Sequence, residues 1–172
     1  MGLSDDLLRG VFSQGFEVPS PIQQRAIKPV MDGRDTLAQA QSGTGKTGAF
    51  SIGALGAINP ELQETQVLIL EPTRELAGQT HDVITGIAQY MGIETHLSMG
   101  GTRMSDDGRA IERRPHVITG TPGRILDWLS RGTLDARLLK MLILDEADEV
   151  SDSCGCLSDC VIVCDCVCLR AS

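Results

Sequence analysis

The stretch Ala40-Gln41-Ser42-Gly43-Thr44-Gly45-Lys46-Thr47 decides the fold of this chain. It matches a Walker A phosphate loop, with Ala40 standing where the leading Gly is usual. The residue types follow from the task. Gly43 and Gly45 let the backbone curl until its N–H groups point at phosphate oxygens. Lys46 can reach the β- and γ-phosphates, and the Thr47 hydroxyl can ligate Mg²⁺. The flanks fit as well, because Thr36–Ala40 reads as a strand and Thr47–Ile58 as a helix. The positive dipole end of that helix adds to the anion site. A plain surface turn would need neither flank.

The partner of the loop lies far downstream. Met141-Leu142-Ile143-Leu144 predicts a buried strand, and Asp145 and Glu146 emerge at its C-terminal end, where parallel sheets place ligands. Asp145 is expected to hold Mg²⁺, usually through water, and Glu146 to orient or deprotonate an attacking water. Loop and carboxylates together predict an NTP site with Lys46, Asp145 and Glu146 as its catalytic residues.

Between these two segments, strands and helices alternate. Strands are predicted at Val67–Leu70, Ile93–Ser98 and His116–Thr119, and helices at about 73–91, 106–113 and 122–130. Upstream, residues 3–13 have helical apolar spacing with Ser4 as N-cap, and Ser20-Pro21 starts a second helix. This alternation predicts an α/β domain over residues 1–150, with a mostly parallel sheet covered by helices on both faces. Residues 151–172 form a separate, compositionally foreign tail.

Composition agrees with one globular domain: 172 residues, 41% apolar and 22% charged. A net charge of −8 argues against a generally basic nucleic-acid or membrane binder but leaves room for local basic sites. No apolar run reaches the ~18 residues of a membrane span, and no signal peptide opens the chain. All six cysteines lie between Cys154 and Cys168, so the remainder suits a reducing compartment.

Asp145-Glu146-Ala147-Asp148 spells the signature of the DEAD-box RNA helicases, and further motifs of that family's first RecA-like domain stand in order. Gly15-Phe16 with Pro19-Ser20-Pro21-Ile22-Gln23 resembles the Q motif, and Pro72-Thr73-Arg74-Glu75-Leu76-Ala77 resembles motif Ia. Gly100-Gly101 resembles the GG motif and Thr121-Pro122-Gly123-Arg124 motif Ib, while the wording around the P-loop is most similar to the initiation factor 4A branch. The resemblance implies ATP hydrolysis coupled to RNA unwinding or remodelling, with ATP and Mg²⁺ as cofactors.

It also implies a set of sites. ATP is held by Phe16, Gln23, Ser42, Gly43, Thr44, Gly45, Lys46 and Thr47, with Thr47 and Asp145 on Mg²⁺. Phe16 belongs there as a packing residue that positions the Q motif. Gln23 would read adenine through its amide, although Ser20-Pro21-Ile22-Gln23 by itself fits a capping box that needs no nucleotide. RNA backbone is expected at Thr73, Arg74, Gly101, Thr121 and Arg124, with contacts to phosphate and 2′-OH rather than to base sequence. The alternative for motifs Ia and Ib is an ordinary capped helix with an Arg salt bridge. Arg109, Arg113, Arg114 and His116 read as a solvated face. Asp148 would couple the nucleotide site to the RNA-facing motifs. The implied partners are RNA and proteins of the translation-initiation or exon-junction kind, around a cytoplasmic or nuclear monomer with no membrane association.

The chain departs from the family pattern in three ways. It starts just after the place of an upstream aromatic that stacks on adenine. The Ser-Ala-Thr motif and the second RecA-like domain with its arginine fingers do not follow. Such a finger is worth ~10³–10⁵ in rate, so a first-domain fragment that binds ATP and RNA without turnover is the alternative reading. The tail reads first as divergent sequence without function, then as an ordered strand or a thiolate metal site. Its insertion as a central strand is disfavoured, because residues 149–160 leave a short crossover of poor helix formers.

Overall fold

The computed structural model describes residues 2–41, 43–147, 149–150 and 166–170. Ser42, Asp148 and residues 151–165 lie outside the described residues, and with them the thiolate-site reading of the tail.

Among the described residues six strands form one sheet: β1 (Thr36–Leu37), β2 (Val67–Leu70), β3 (Thr95–Ser98), β4 (Val117–Gly120), β5 (Met141–Asp145) and β6 (Cys166–Arg170). Their order is β1-β6-β5-β2-β4-β3. The pairs β5–β2, β2–β4 and β4–β3 are parallel, and β6 runs antiparallel to both of its neighbours. The α/β architecture with a mostly parallel sheet is therefore the one expected. All four residues of β2 are buried, as an apolar run covered on both faces should be.

The helices are α1 (Asp5–Ser13), α2 (Pro21–Met31), α3 (Lys46–Ala57), α4 (Arg74–Ala88), α5 (Met104–Glu112) and α6 (Pro122–Ser130). Alternation along the strands sorts the core into two layers. Val67, Ile69, Val117, Met141 and Ile143 pack under α1–α4, with Leu7, Ile27, Phe50 and Ile84. Leu68, Leu70, Ile118 and Leu144 pack on the other face against Ile111, Ile125 and Trp128 of α5 and α6. Helix α1 crosses α4 closely enough that a Cβ on Gly10 would lie 1.8 Å from the Ile87 carbonyl oxygen. Only glycine fits there.

Two differences from the sequence reading are informative. Strand β1 ends at Leu37 instead of Ala40, because it pairs with β6 at only two positions, Thr36↔Cys168 and Leu37↔Val167. The tail supplies β6, a central strand between β1 and β5, against expectation. Direction explains this. The objection concerned a parallel strand, which needs a long crossover. An antiparallel strand that starts with Cys166 opposite Asp145 returns from the same end of the sheet and needs no crossover helix.

Candidate nucleotide site and nucleic-acid groove

The C-terminal ends of the parallel strands carry both candidate sites. In the P-loop, Gly43 and Gly45 have φ of +80° and +94°, left-handed values that favour glycine. The Thr44 hydroxyl donates to the Gln41 carbonyl at 2.6 Å and closes the turn. Helix α3 then begins at Lys46, with Gly45 as its N-cap, so its first-turn amides have no intrahelical acceptor. The Lys46 ammonium meets Glu146 Oε1 at 3.4 Å, with side chains 9% and 34% exposed. Loop and acidic strand end are thus brought face to face.

Glu146 has φ +47°, an uncommon value for a non-glycine residue, and its N–H donates to Asp145 Oδ1 at 3.1 Å. Backbone strain of this kind gathers at functional sites. Thr47 and the buried Asp145 offer hard oxygen donors that suit Mg²⁺. Among the described residues no three acidic, His or Cys side chains converge to hold an ion alone. Mg²⁺ is usually bound through one or two carboxylates, waters and substrate phosphates, and Asp145 is one such carboxylate. The donor set fits the ion.

One group at this rim went unnoticed in the sequence. Glu71 follows β2 and is 0% exposed. Its Oε1 accepts from the Thr80 hydroxyl at 2.6 Å, while Oε2 has no partner among the described residues. Burial pushes its carboxyl up from 4.5 to about 7; the Thr80 hydrogen bond opposes this, and the charges of Asp145 and Glu146 add to it. A carboxyl that holds its proton more tightly folded than unfolded stabilises the fold at low pH. That contribution is lost as pH rises from about 4.5 to about 7. At about 1.4 kcal/mol per pH unit the loss is about 3 kcal/mol. Urea unfolding across this window is expected to show the decline in wild type and a flatter profile in Glu71→Gln. Equal slopes would refute the assignment.

Gln23 is buried and uses both ends of its amide. Its Oε1 accepts from the Ser20 N–H at 2.8 Å, the capping-box bond, and its Nε2 donates to the Gly45 carbonyl at 3.3 Å. The cap therefore also ties α2 to the phosphate loop. Phe16 and Gln23 both press on Gly48 of α3, where a Cβ would meet Phe16 at 3.0 Å. Beside the loop lies a crevice of about 240 Å³ lined by Pro21, Ile22, Arg25, Gln39, Ala40 and Thr44. Arg25 and Gln39 were missed because no local pattern links them.

The second site is an open groove of about 730 Å³, whose lining includes Thr73, Arg74, Gly100, Thr121 and Arg124. The Thr73 hydroxyl caps α4 by accepting from the Leu76 N–H at 3.2 Å. Arg74 lies against the glycine pair, since a Cβ on Gly101 would sit 2.9 Å from its Nη1. Arg124 turns inward. Its Nη1 pairs with Asp107 Oδ2 at 3.0 Å, with side chains 10% and 2% exposed, and its Nη2 donates to the Thr102 carbonyl at 3.3 Å. For Arg124 the geometry is the salt bridge set out as the alternative, whereas Arg74 is the exposed cation. Of the supposed solvated cluster, His116 is buried, with Nδ1 accepting from the Glu94 N–H at 2.9 Å.

A phosphate loop entering a helix, opposed across a mostly parallel sheet by an acidic strand end, defines a P-loop NTPase domain of the RecA-like class. The DEAD/DEAH box helicase family model matches residues 20–162, and the chain belongs to that family. Over 150 residues, 87% of the chain, it is 55% identical to eukaryotic initiation factor 4A of Dictyostelium discoideum, covering 37% of that protein. It is also 55% identical, over the same share, to the ATP-dependent RNA helicase eIF4A of Yarrowia lipolytica, covering 38% of it. A DEAD box protein from Methanococcus jannaschii superposes with a TM-score of 0.83 at 36% identity, over 89% of this chain and 42% of that one. Dbp5 of S. cerevisiae, solved with RNA and ADP BeF3, superposes with a TM-score of 0.81 at 37% identity, over 92% and 40%. The chain thus spans about two fifths of the length of these relatives.

Proposed function

We propose that the chain is the first RecA-like domain of an ATP-dependent RNA helicase of the initiation factor 4A branch, in which ATP hydrolysis is coupled to RNA unwinding or remodelling. The observation that carries this reading is the Lys46–Glu146 pair at 3.4 Å, which joins the phosphate loop to the acidic strand end. Lys46 and the loop amides, with Ser42, Gly43, Thr44 and Gly45, bind the phosphates. Gln23 and Phe16 shape the adenine side. Glu146 orients the attacking water and takes its proton. Thr47 and Asp145 would hold Mg²⁺, which would neutralise phosphate charge.

RNA backbone occupies the groove at Thr73, Arg74, Gly101 and Thr121, Arg124 being engaged by Asp107 at the groove wall, and Asp148 couples the two sites. Arg74 and the glycine turn read phosphate geometry, which carries no base sequence. The 55% identity to initiation factor 4A proteins supports a cytoplasmic role in translation initiation, with protein partners of that kind around a monomer.

Steady-state ATPase assays with and without RNA test the reading. Turnover raised by RNA is the expected result. Tight ATP binding with no turnover in either condition would instead establish a nucleotide- and RNA-binding segment without catalysis. Absence of ATP binding would overturn both.

A further inference from the structure

We propose that Glu71 is a second carboxyl of the divalent-cation site, acting from the outer coordination shell beside Asp145; this rests on the nucleotide-site reading above. Position comes first. Strands β2 and β5 run parallel with Leu70 opposite Leu144, so Glu71 and Asp145 follow at the same level. Side chains at matching positions of a parallel pair share a face. The Glu71 N–H donates to the Gly120 carbonyl at 3.0 Å, which keeps β2 in line with β4 past its last residue.

Chemistry comes second. The side chain is fully buried, Thr80 occupies Oε1, and Oε2 has no partner among the described residues. The charged groups acting on it are the carboxylates of Asp145 and Glu146. Lys46 already pairs with Glu146, but Glu71 Oε2 lacks a donor among the described residues. A hydrated divalent cation supplies that donor, because Mg²⁺ keeps several of its waters and those waters hydrogen-bond to outer carboxylates. Direct ligation is not the geometry here, since no three such side chains among the described residues converge on one point. A merely structural role would have Glu71 serve as a neutral group held by Thr80. An amide of the same shape would do that equally well.

Mn²⁺ is the probe, added to the full chain with ADP, and free Mn²⁺ is read by electron paramagnetic resonance. Glu71→Gln is expected to weaken Mn²⁺ binding by about 10-fold, in the range typical of lost outer-shell partners. ADP affinity in excess chelator should be unchanged. Wild-type Mn²⁺ affinity in Glu71→Gln, with Asp145→Asn weakened, overturns the role of Glu71 and leaves the nucleotide site standing. Unchanged binding in Asp145→Asn overturns the cation site itself. Should Glu71→Gln fail to fold, Thr80→Val serves in its place. It leaves the carboxyl but removes the hydroxyl that holds it, so Mn²⁺ should bind more weakly and Thr80→Ser should restore it. Wild-type binding in Thr80→Val would count against the proposal.

Discussion

Asp107→Ala is expected to remove about 3–5 kcal/mol of stability, the usual cost of stranding one partner of a buried ion pair. Asp107 sits on α5, and its carboxylate gathers four groups from two other elements, β3 and α6. His96 Nε2 lies 2.6 Å from Oδ1, and Ser98 Oγ, Arg124 Nη1 and Trp128 Nε1 lie 3.0, 3.0 and 3.1 Å from Oδ2. Truncation leaves the Arg124 guanidinium, 10% exposed, without its counter-charge. Trp128 keeps one acceptor, Ser98 Oγ at 3.2 Å. Because domains are stable by only about 5–15 kcal/mol, such a loss would show as a large drop in urea midpoint. Asp107→Asn keeps an acceptor oxygen and the shape, so it should lose less. A loss below about 1 kcal/mol in Asp107→Ala would show that the network is slack.

Lys46→Ala is expected to weaken ADP or ATP binding by about 100-fold or more. Two hydrogen bonds from an ammonium to phosphate oxygens are worth about 1.5–3 kcal/mol each, and every 1.4 kcal/mol is tenfold in affinity. The position supports the full effect, because the side chain is 9% exposed and solvent cannot easily take its place. Folding should suffer far less. The partner Glu146 is one-third exposed and can be hydrated when its ion pair is lost. Titration with a fluorescent ADP analogue gives the affinity, and thermal melting confirms that the variant folds. Affinity within about threefold of wild type would remove Lys46 from the phosphate site.

The residues that sequence brought into view are those whose signal is local. Gly43 and Gly45 are needed wherever the chain turns left-handed, and both do. Ser20 and Gln23 form a cap that any S-x-x-Q spacing suggests, and the structure adds the bond to Gly45 that spacing cannot show. Glu71 did leave a trace. Val67-Leu68-Ile69-Leu70-Glu71 has the same form as Met141-Leu142-Ile143-Leu144-Asp145: four apolar residues, then an acid. Glu71 stands directly before Pro72 of motif Ia, and nothing local marks its side chain as buried. Asp107 left none, because its partners are scattered from His96 to Trp128 and an acid on a short helix reads as solvated.

Sequence alone determined the phosphate loop, the acidic strand end, the alternation of strands and helices, and hence the class of fold, because each depends on backbone preferences over a few residues. The tertiary structure decided which strands are neighbours, that β6 enters antiparallel, that Glu71 is buried beside Asp145, and that Arg124 is turned inward. These outcomes depend on contacts between residues far apart in the chain. There, burial and the pairing of charge outweigh any local preference.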